Sequence, residues 1–460
     1  MVELRLDELA AKMEGTIVRG GPTHTFKTFS IDSRLTAKGG LFFALQGLRD
    51  GHDFLQDALD RGAAGAVVSR DIPAPMNDVS LIRVEDTLRA LQRLARRVLE
   101  DFPLKIIGIT GSIGKTTTKE FAHHLLKKEF NVLKSEGNFN NHLGLPLSLL
   151  RLSPSHEVAV LEMGMSHQGE ILALTQIAPP DVAVITNIKP VHLEFFTNIE
   201  NIARAKREIL DGTNPGGTAV LNADDPLIQV ISQKWRGRTI RFGRSDSADV
   251  RAFSIRKNGR EGMSFVLACG QETADIHLPF VYDSSLDNFL AAAAVAHSMA
   301  VPLSSIAAQS LTLQPLKMRG EYHQLAGGIH LIDDSYNSSP AALESALHSL
   351  ADFPGRRRIA VLGDMLELGP KEQQFHRKAG KAAADKGWDV LVTVGTLSRA
   401  MAEGAIEGGM KGEDIFSFLN AEEAAASFKD IIREGDLILI KGSRGMKMEH
   451  IVQVLLKKEK

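Results

Sequence analysis

Residues 106–118 read Ile-Ile-Gly-Ile-Thr-Gly-Ser-Ile-Gly-Lys-Thr-Thr-Thr, and their order predicts a strand, a tight loop and a helix in succession. Ile106–Ile109 suits the end of a buried strand, Thr110–Gly114 a glycine-containing turn, and Lys115 onward a helix start. Such a junction collects unpaired backbone N–H groups at a helix N-terminus, where the aligned peptide dipoles amount to roughly half an elementary positive charge. Gly111, Ser112, Gly114 and Thr117 would line that cradle. Lys115 adds a mobile cation for β- and γ-phosphates, and the Thr116 hydroxyl is placed to hold Mg²⁺. Ile109 stands where the general phosphate-loop pattern has its first glycine, so the match is incomplete. Gly-x-x-Gly-Lys-Thr after an apolar strand still favours ATP or GTP binding over an ordinary strand-to-helix turn.

The chain around this junction has 460 residues, enough for two to four domains with separate cores. With 43% apolar and 24% charged residues it has the composition of a soluble globular protein. A formal net charge of −2 argues against a surface built for nucleic acid or anionic membrane. The basic run Arg93–Arg97 is read as the solvated face of a helix. A single cysteine, Cys269, excludes an intramolecular disulfide and a Cys-rich metal site. The first residues carry no basic-then-apolar signal, and no apolar run approaches a membrane span. The expectation is a cytoplasmic protein, without membrane insertion or nucleic-acid partner, and monomeric by default.

The fold class predicted is α/β with three domains, at 1–83, 84–315 and 316–460. In the first, strands are expected at 26–31, 40–45, 64–69 and 79–84 and a helix at 54–61. A helical stretch over 86–101 leads into the loop-bearing strand. Apolar strands at 105–109, 158–163, 182–188 and 218–222 alternate with helical patterns, which implies a mainly parallel, helix-covered sheet. After Pro315 a second, Rossmann-like series has strands at 329–332, 358–362, 390–394 and 436–441. It lacks Gly-x-Gly-x-x-Gly, so it implies no dinucleotide.

Ligands of open α/β sheets gather at the carboxyl ends of strands. Glu162 and Asn187 fall at such ends, with His192 five residues after Asn187 and with Asn138 and Asn141 in Gly-Asn-Phe-Asn-Asn-His-Leu-Gly-Leu-Pro. A carboxylate at a strand end beside a phosphate loop suits Mg²⁺, which favours that reading of Glu162 over a helix cap or surface acid. His192 alone is more simply a loop histidine. Lys206 falls on the apolar stripe of a helix over 201–210, capped by Asn198 and marked by Ile202 and Ile209. A lysine there usually reaches out to water along its stem, and less often serves a ligand. In the last segment Asp333, Asp334, Asp364 and Lys441-Gly-Ser-Arg444 follow strands. Turn chemistry explains each alone, but a second ligand surface explains them together.

Taken as a set, these motifs resemble the Mur ligases along nearly the whole chain. The resemblance rests on Asp32-Ser-Arg34, Gly40–Gly47, Asp50–Phe54, Thr110–Thr117, Asn138–Pro146, Glu162-Met-Gly-Met, His192-Leu-Glu194, Ala205-Lys206, Asp334-Ser-Tyr-Asn337 and Gly363–Gly369. The last two, with Lys441–Arg444, resemble the branch of the family that adds D-alanyl-D-alanine. The Asp-Asn-Pro-Arg motif of the branch adding meso-diaminopimelate is absent.

The resemblance implies an ATP-dependent amide ligase acting on UDP-N-acetylmuramoyl-tripeptide and D-Ala-D-Ala by way of an acyl phosphate. The first domain would hold the uridine diphosphate through Ser33 and Arg34, the central one ATP, and the third would close over the nucleotide with D-Ala-D-Ala. Asn288 would contact adenine, and Arg319 and Asp334 the nucleotide from the third domain. Asn138, Asn141, Asn337, Lys441 and Arg444 would serve substrate. Two Mg²⁺ ions are implied, one with Thr116 and Glu162 and one with His192 and a carbamylated Lys206. Catalysis would fall to Lys115, Lys206, His192 and Glu162. The sequence departs from the family pattern at Ser284 and Ser285, where His-Asn is common, and at Ile113, where the loop often has Asn. The rival readings are a sister ligase adding another amino acid and a nucleotide-gated interaction module.

Overall fold

The computed structural model describes residues 2–72, 79–191, 194–196, 198–351 and 353–457. Its large sheets are a five-stranded one within residues 16–83, a nine-stranded one within 105–278 and a six-stranded one within 321–441. Among the described residues no helix is long and apolar enough to cross a membrane.

The nine-stranded sheet runs, in spatial order, from Glu272–Leu278 through Met263–Cys269, Val250–Lys257, Arg238–Gly243, Thr218–Asn222, Val182–Ile185, Lys105–Thr110 and Val158–Glu162 to Val132–Lys134. Side chains of a strand alternate between faces, and this sheet is buried on both. Ile106, Ala159, Leu161, Ala183 and Ile185 pack on one side with helices Thr87–Glu100, Gly144–Leu149, Glu170–Ile177 and Ile199–Asp211. Ile107, Ile109, Val158, Val160 and Val184 pack on the other with Lys115–Leu126 and Asp283–Ser298. Double coverage explains why these strands are apolar without a polar alternation. Each fully buried Val, Leu or Ile contributes about 1.5–3 kcal/mol of transfer free energy.

The sheet is parallel from Val132–Lys134 across to Val250–Lys257, as the βα alternation predicts, but its far edge is antiparallel. The strands at 238–278 were not anticipated. Their signal is period two, with Met263, Phe265, Leu267 and Cys269 buried and the residues between them less so, and a search for βα units passes over it.

The helix expected at 86–101 spans Thr87–Glu100, started by Asp86, whose side chain accepts from the N–H groups of Leu88 and Arg89. Its Leu91, Leu94 and Val98 share one core with Leu6, Leu9 and Met13 of the first helix and with the central sheet. It therefore ties the N-terminal segment to the phosphate-loop strand. In the N-terminal sheet the strand expected at 26–31 is two short pieces, Thr25–Phe26 and Phe29–Ser30, belonging to different sheets.

The six-stranded sheet has the order Glu321–Leu325, Ile329–Asp334, Asp436–Lys441, Arg357–Gly363, Val390–Val394, Ile415–Phe418. All pairs are parallel except the first hairpin. The two outer strands were not anticipated, being short and only half-buried. Asp334 and Lys441 are register partners at adjacent strand ends.

Candidate active site

Two glycines give the loop its shape. Gly111 (φ 153°) lies so close to Thr186 that a Cβ would sit 1.8 Å from its Oγ1. Gly114 (φ 84°) starts the helix Lys115–Leu126, and a Cβ there would sit 2.1 Å from Asn288 Oδ1. The left-handed backbone and the close approach both require glycine.

The loop is braced from the neighbouring strand end. Thr186 Oγ1 and Asn187 Nδ2 donate to the Ile113 carbonyl at 2.7 and 3.0 Å, and Asn187 Oδ1 accepts from Ile113 N at 3.1 Å. Ser112 N donates to the Asn187 carbonyl at 3.0 Å, and Ser112 Oγ exchanges hydrogen bonds with the backbone of Lys189. The expected cradle is thereby narrowed. The N–H groups of Ser112 and Ile113 are spent on Asn187, and the anion site is left to the first-turn N–H groups from Gly114 to Thr117. Lys115 Nζ turns back to the carbonyls of Gly111 and Ser112, at 3.0 and 3.3 Å. Burial lowers its pKa; Glu162 opposes that and Arg319 adds to it.

Glu162, the last residue of its strand, is 2% exposed. Its Oε2 accepts from Thr116 Oγ1 at 2.8 Å and its Oε1 from Asn140 Nδ2 at 2.7 Å. Arg319, far along the chain, donates from Nη2 to Thr116 Oγ1 at 3.3 Å, with its guanidinium 4.0 Å over the Tyr336 ring. At the strand ends beside it, Lys441 Nζ donates to Asp334 Oδ2 at 2.6 Å and to the Asn337 carbonyl at 3.0 Å. Burial raises the Asp334 pKa, and Lys441 and Arg319 pull it back. These groups face one cavity of about 840 Å³, lined also by Ser112, Gly114, Thr117, Asn138, Asn187 and Asn288.

Other expected residues lie elsewhere. Asn141 does not line the cavity; its Oδ1 accepts from Leu143 N and Gly144 N and starts the helix Gly144–Leu149. Its neighbour Asn140 is the one that reaches Glu162, a distinction that adjacent identical residues conceal in a sequence. Ser33 and Arg34 sit in the N-terminal segment, Ser33 buried and Arg34 paired with Asp32 at 2.7 Å. Arg444 is paired with Glu449 at 2.8 Å, and its guanidinium lies 5.8 Å from the centroid of the Tyr336 ring. Asp364 serves the fold, its carboxylate accepting from Ser398 N and Leu397 N. Lys206 lies on the helix Ile199–Asp211 and is 2% exposed, so it does not reach out to water. Burial, with the charge of Lys115, holds its pKa well below the usual lysine range. His192 lies outside the described residues.

Tyr336 was not singled out from the sequence, nor was Asn140. An aromatic ring beneath an arginine is visible only once the two strands pair. The same holds for Glu321, His323 and Asp333, brought together by the hairpin with ligand atoms within 4.8 Å of one another. That group could hold a metal ion, and it is not the set expected from the sequence.

Residues 109–296 match the Mur ligase middle domain, and residues 318–444 match the Mur ligase glutamate ligase domain. The chain is 35% identical over 459 residues to the UDP-N-acetylmuramoyl-tripeptide–D-alanyl-D-alanine ligase of Bacillus subtilis, covering 99% of each. The crystal structure of MurF from Acinetobacter baumannii superposes with a TM-score of 0.90 at 31% identity, over 99% of both chains. MurF ligase from Thermotoga maritima in complex with ADP gives 0.81 at 31% identity, over 94% of this chain and 97% of that one. With both domains matched and end-to-end likeness at this level, the chain is an enzyme that belongs to the Mur ligase family, and within it to the MurF subfamily.

Proposed function

We propose that this enzyme of peptidoglycan-precursor synthesis joins D-alanyl-D-alanine to the C-terminal carboxylate of UDP-N-acetylmuramoyl-tripeptide, using one ATP. The observation that carries the reading is the chain of contacts Arg319–Thr116–Glu162–Asn140. It brings residues from both matched domains to the foot of the phosphate loop.

A carboxylate must be activated before an amine can displace its oxygen. Its oxygen attacks the γ-phosphorus, the bond to the ADP oxygen breaks, and an acyl phosphate forms. The amine of D-Ala-D-Ala adds to the acyl carbon and loses a proton to solvent, and the tetrahedral intermediate expels phosphate. The chain's residues position these groups and neutralise charge. The N–H groups of Gly114–Thr117 and the Lys115 ammonium hold the β- and γ-phosphates, Asn288 the adenine, and Arg319 and Asp334 the nucleotide from the C-terminal side. Ser33 and Arg34 hold the uridine diphosphate. Asn138, Asn337 and Lys441, which line the cavity, serve the two acyl-transfer substrates.

Thr116 Oγ1 and Glu162 Oε2, 2.8 Å apart, are hard oxygen donors of the kind Mg²⁺ takes. When bound, the ion neutralises phosphate charge. Lys206 and His192 are assigned to a second ion. A buried lysine kept as the neutral amine adds CO₂ and releases a proton, and the carbamate is an anionic oxygen ligand. The division at 1–83, 84–315 and 316–460 follows these roles, with a monomer acting in the cytoplasm.

Phosphate release from ATP tests the reading. Release that needs both UDP-N-acetylmuramoyl-tripeptide and D-Ala-D-Ala, with a UDP-linked pentapeptide product, is expected. Release supported by another amine instead would move the chain to a sister activity, and turnover indifferent to both substrates would point to a nucleotide-gated module.

A further inference from the structure

One lysine next to the phosphate loop is unused by this mechanism and is entirely buried. Lys119 lies one turn beyond Thr116 on the helix Lys115–Leu126 and is 0% exposed. Residues three apart lie on one face of a helix. From that face Thr116 reaches Glu162, and Lys119 Nζ donates to the carbonyls of Ser135 and Gly137 at 2.8 and 2.9 Å. An ion pair with Glu120 at 3.2 Å balances the ammonium, and Glu120 is also paired with Lys134. Burying an ammonium is costly unless it is paired and hydrogen-bonded, and a methionine would fill the space without that cost. The charge must be judged by what it holds.

It holds the chain leaving the strand Val132–Lys134, the segment that carries Asn138 and Asn140 into the cavity. Ser135 Oγ accepts from the Glu162 backbone N–H at 3.0 Å, and Asn140 bonds the Glu162 carboxylate at 2.7 Å. The Asn140 carbonyl in turn accepts from Gly164 N at 2.7 Å. Lys119 is not among the residues lining the cavity. The geometry points to Lys119 as a positioning residue: through two backbone carbonyls it fixes the segment 135–140, and so sets where Asn138 and Asn140 stand relative to the phosphate loop. The inference rests on the ligase reading for its kinetic consequence, and on the contacts alone for its structural one.

Lys119→Met keeps the volume and removes the donors, and Lys119→Gln keeps a shorter donor for one carbonyl. Two readouts separate the claim from general destabilisation. In hydrogen exchange on the ligand-free full-length chain, the amides of 136–141 are expected to exchange about tenfold faster in Lys119→Met, with Thr116–Leu126 unchanged. In turnover, kcat/KM for UDP-N-acetylmuramoyl-tripeptide is expected to fall roughly thirtyfold, and KM for ATP to stay within about threefold. Lys119→Gln should fall between the two, and it carries the same comparison if Lys119→Met does not fold. In a double-mutant cycle, Asn140→Ala should add little to Lys119→Met, because both act on the same segment. Unchanged exchange over 136–141, or equal losses for ATP and tripeptide with protection lost throughout the chain, would overturn the inference. If the wild-type chain proves not to be a ligase, the exchange measurement still decides the positioning claim.

Discussion

Replacing Glu162 by glutamine separates the charge of this residue from its packing. The amide has nearly the carboxylate's shape, and its oxygen can still accept from Asn140 while its nitrogen donates to the Thr116 hydroxyl. Both hydrogen bonds, at 2.7 and 2.8 Å, therefore have partners in the variant. Two charge-assisted bonds become neutral ones, a loss of about 1 kcal/mol each, offset by no longer burying an anion. The fold should change in stability by no more than about 1 kcal/mol. Ligand binding responds differently. A unit charge about 4 Å from a cation is worth roughly 4 kcal/mol at an effective dielectric near 20. Even half of that is about thirtyfold. Lys115, which Glu162 helps to keep protonated, loses that support at the same time. The expected result is a half-saturating Mg²⁺ concentration at least about thirtyfold higher in ATP turnover, beside a thermal midpoint within about 3 °C of wild type. A variant with unchanged Mg²⁺ dependence and full turnover would refute the placing of the ion between Thr116 and Glu162.

Gly114→Ala forces a side chain into a left-handed backbone and into Asn288, so a folded variant with ATP binding weakened about tenfold or more is expected in a titration with a fluorescent nucleotide. Lys206→Met should retain the fold, since burial already disfavours the charge there. It should lose about two decades of turnover, and the wild type should lose activity in CO₂-free buffer and regain it with bicarbonate; full activity in the variant would rule out the carbamate. His123, half-buried beside Lys134, has its pKa lowered to about 4, chiefly by burial and then by that cation. A depressed histidine contributes stability that is complete above its unfolded pKa of about 6.5 and is lost as pH falls through the folded value. The urea midpoint should therefore fall between about pH 6.5 and 4, and His123→Asn should flatten that part of the profile.

Much of this site is legible in the sequence because its geometry is local. Gly111 to Thr117 are consecutive, and the loop's conformation follows from which of them are glycine. Lys206 is legible for another reason: a cation on an apolar stripe is a periodicity conflict, and its burial at 2% exposure resolves that conflict toward the interior. What escapes the sequence depends on register and pairing. Asn140 and Asn141 are the same residue type side by side, and only the turn before the helix Gly144–Leu149 decides which one faces Glu162. Arg319 meets Tyr336 because the antiparallel hairpin aligns Glu321 with Asp333 and so brings the segments flanking it together. Lys119 was not singled out in the sequence, since nothing in its own neighbours shows that two carbonyls from another segment close over it. The antiparallel edge of the central sheet was passed over because its alternation is the signature of strands without crossover helices.

In the proposed reaction the tripeptide carboxylate is phosphorylated before the amide forms. That order is tested most directly with UDP-N-acetylmuramoyl-tripeptide carrying a heavy oxygen isotope in its terminal carboxylate, together with ATP and D-Ala-D-Ala, by mass analysis of the released phosphate. Transfer of one carboxylate oxygen into each phosphate is predicted, because the bond that breaks when the amine displaces phosphate is the acyl carbon–oxygen bond. Amide formation with phosphate free of the label would contradict the acyl phosphate.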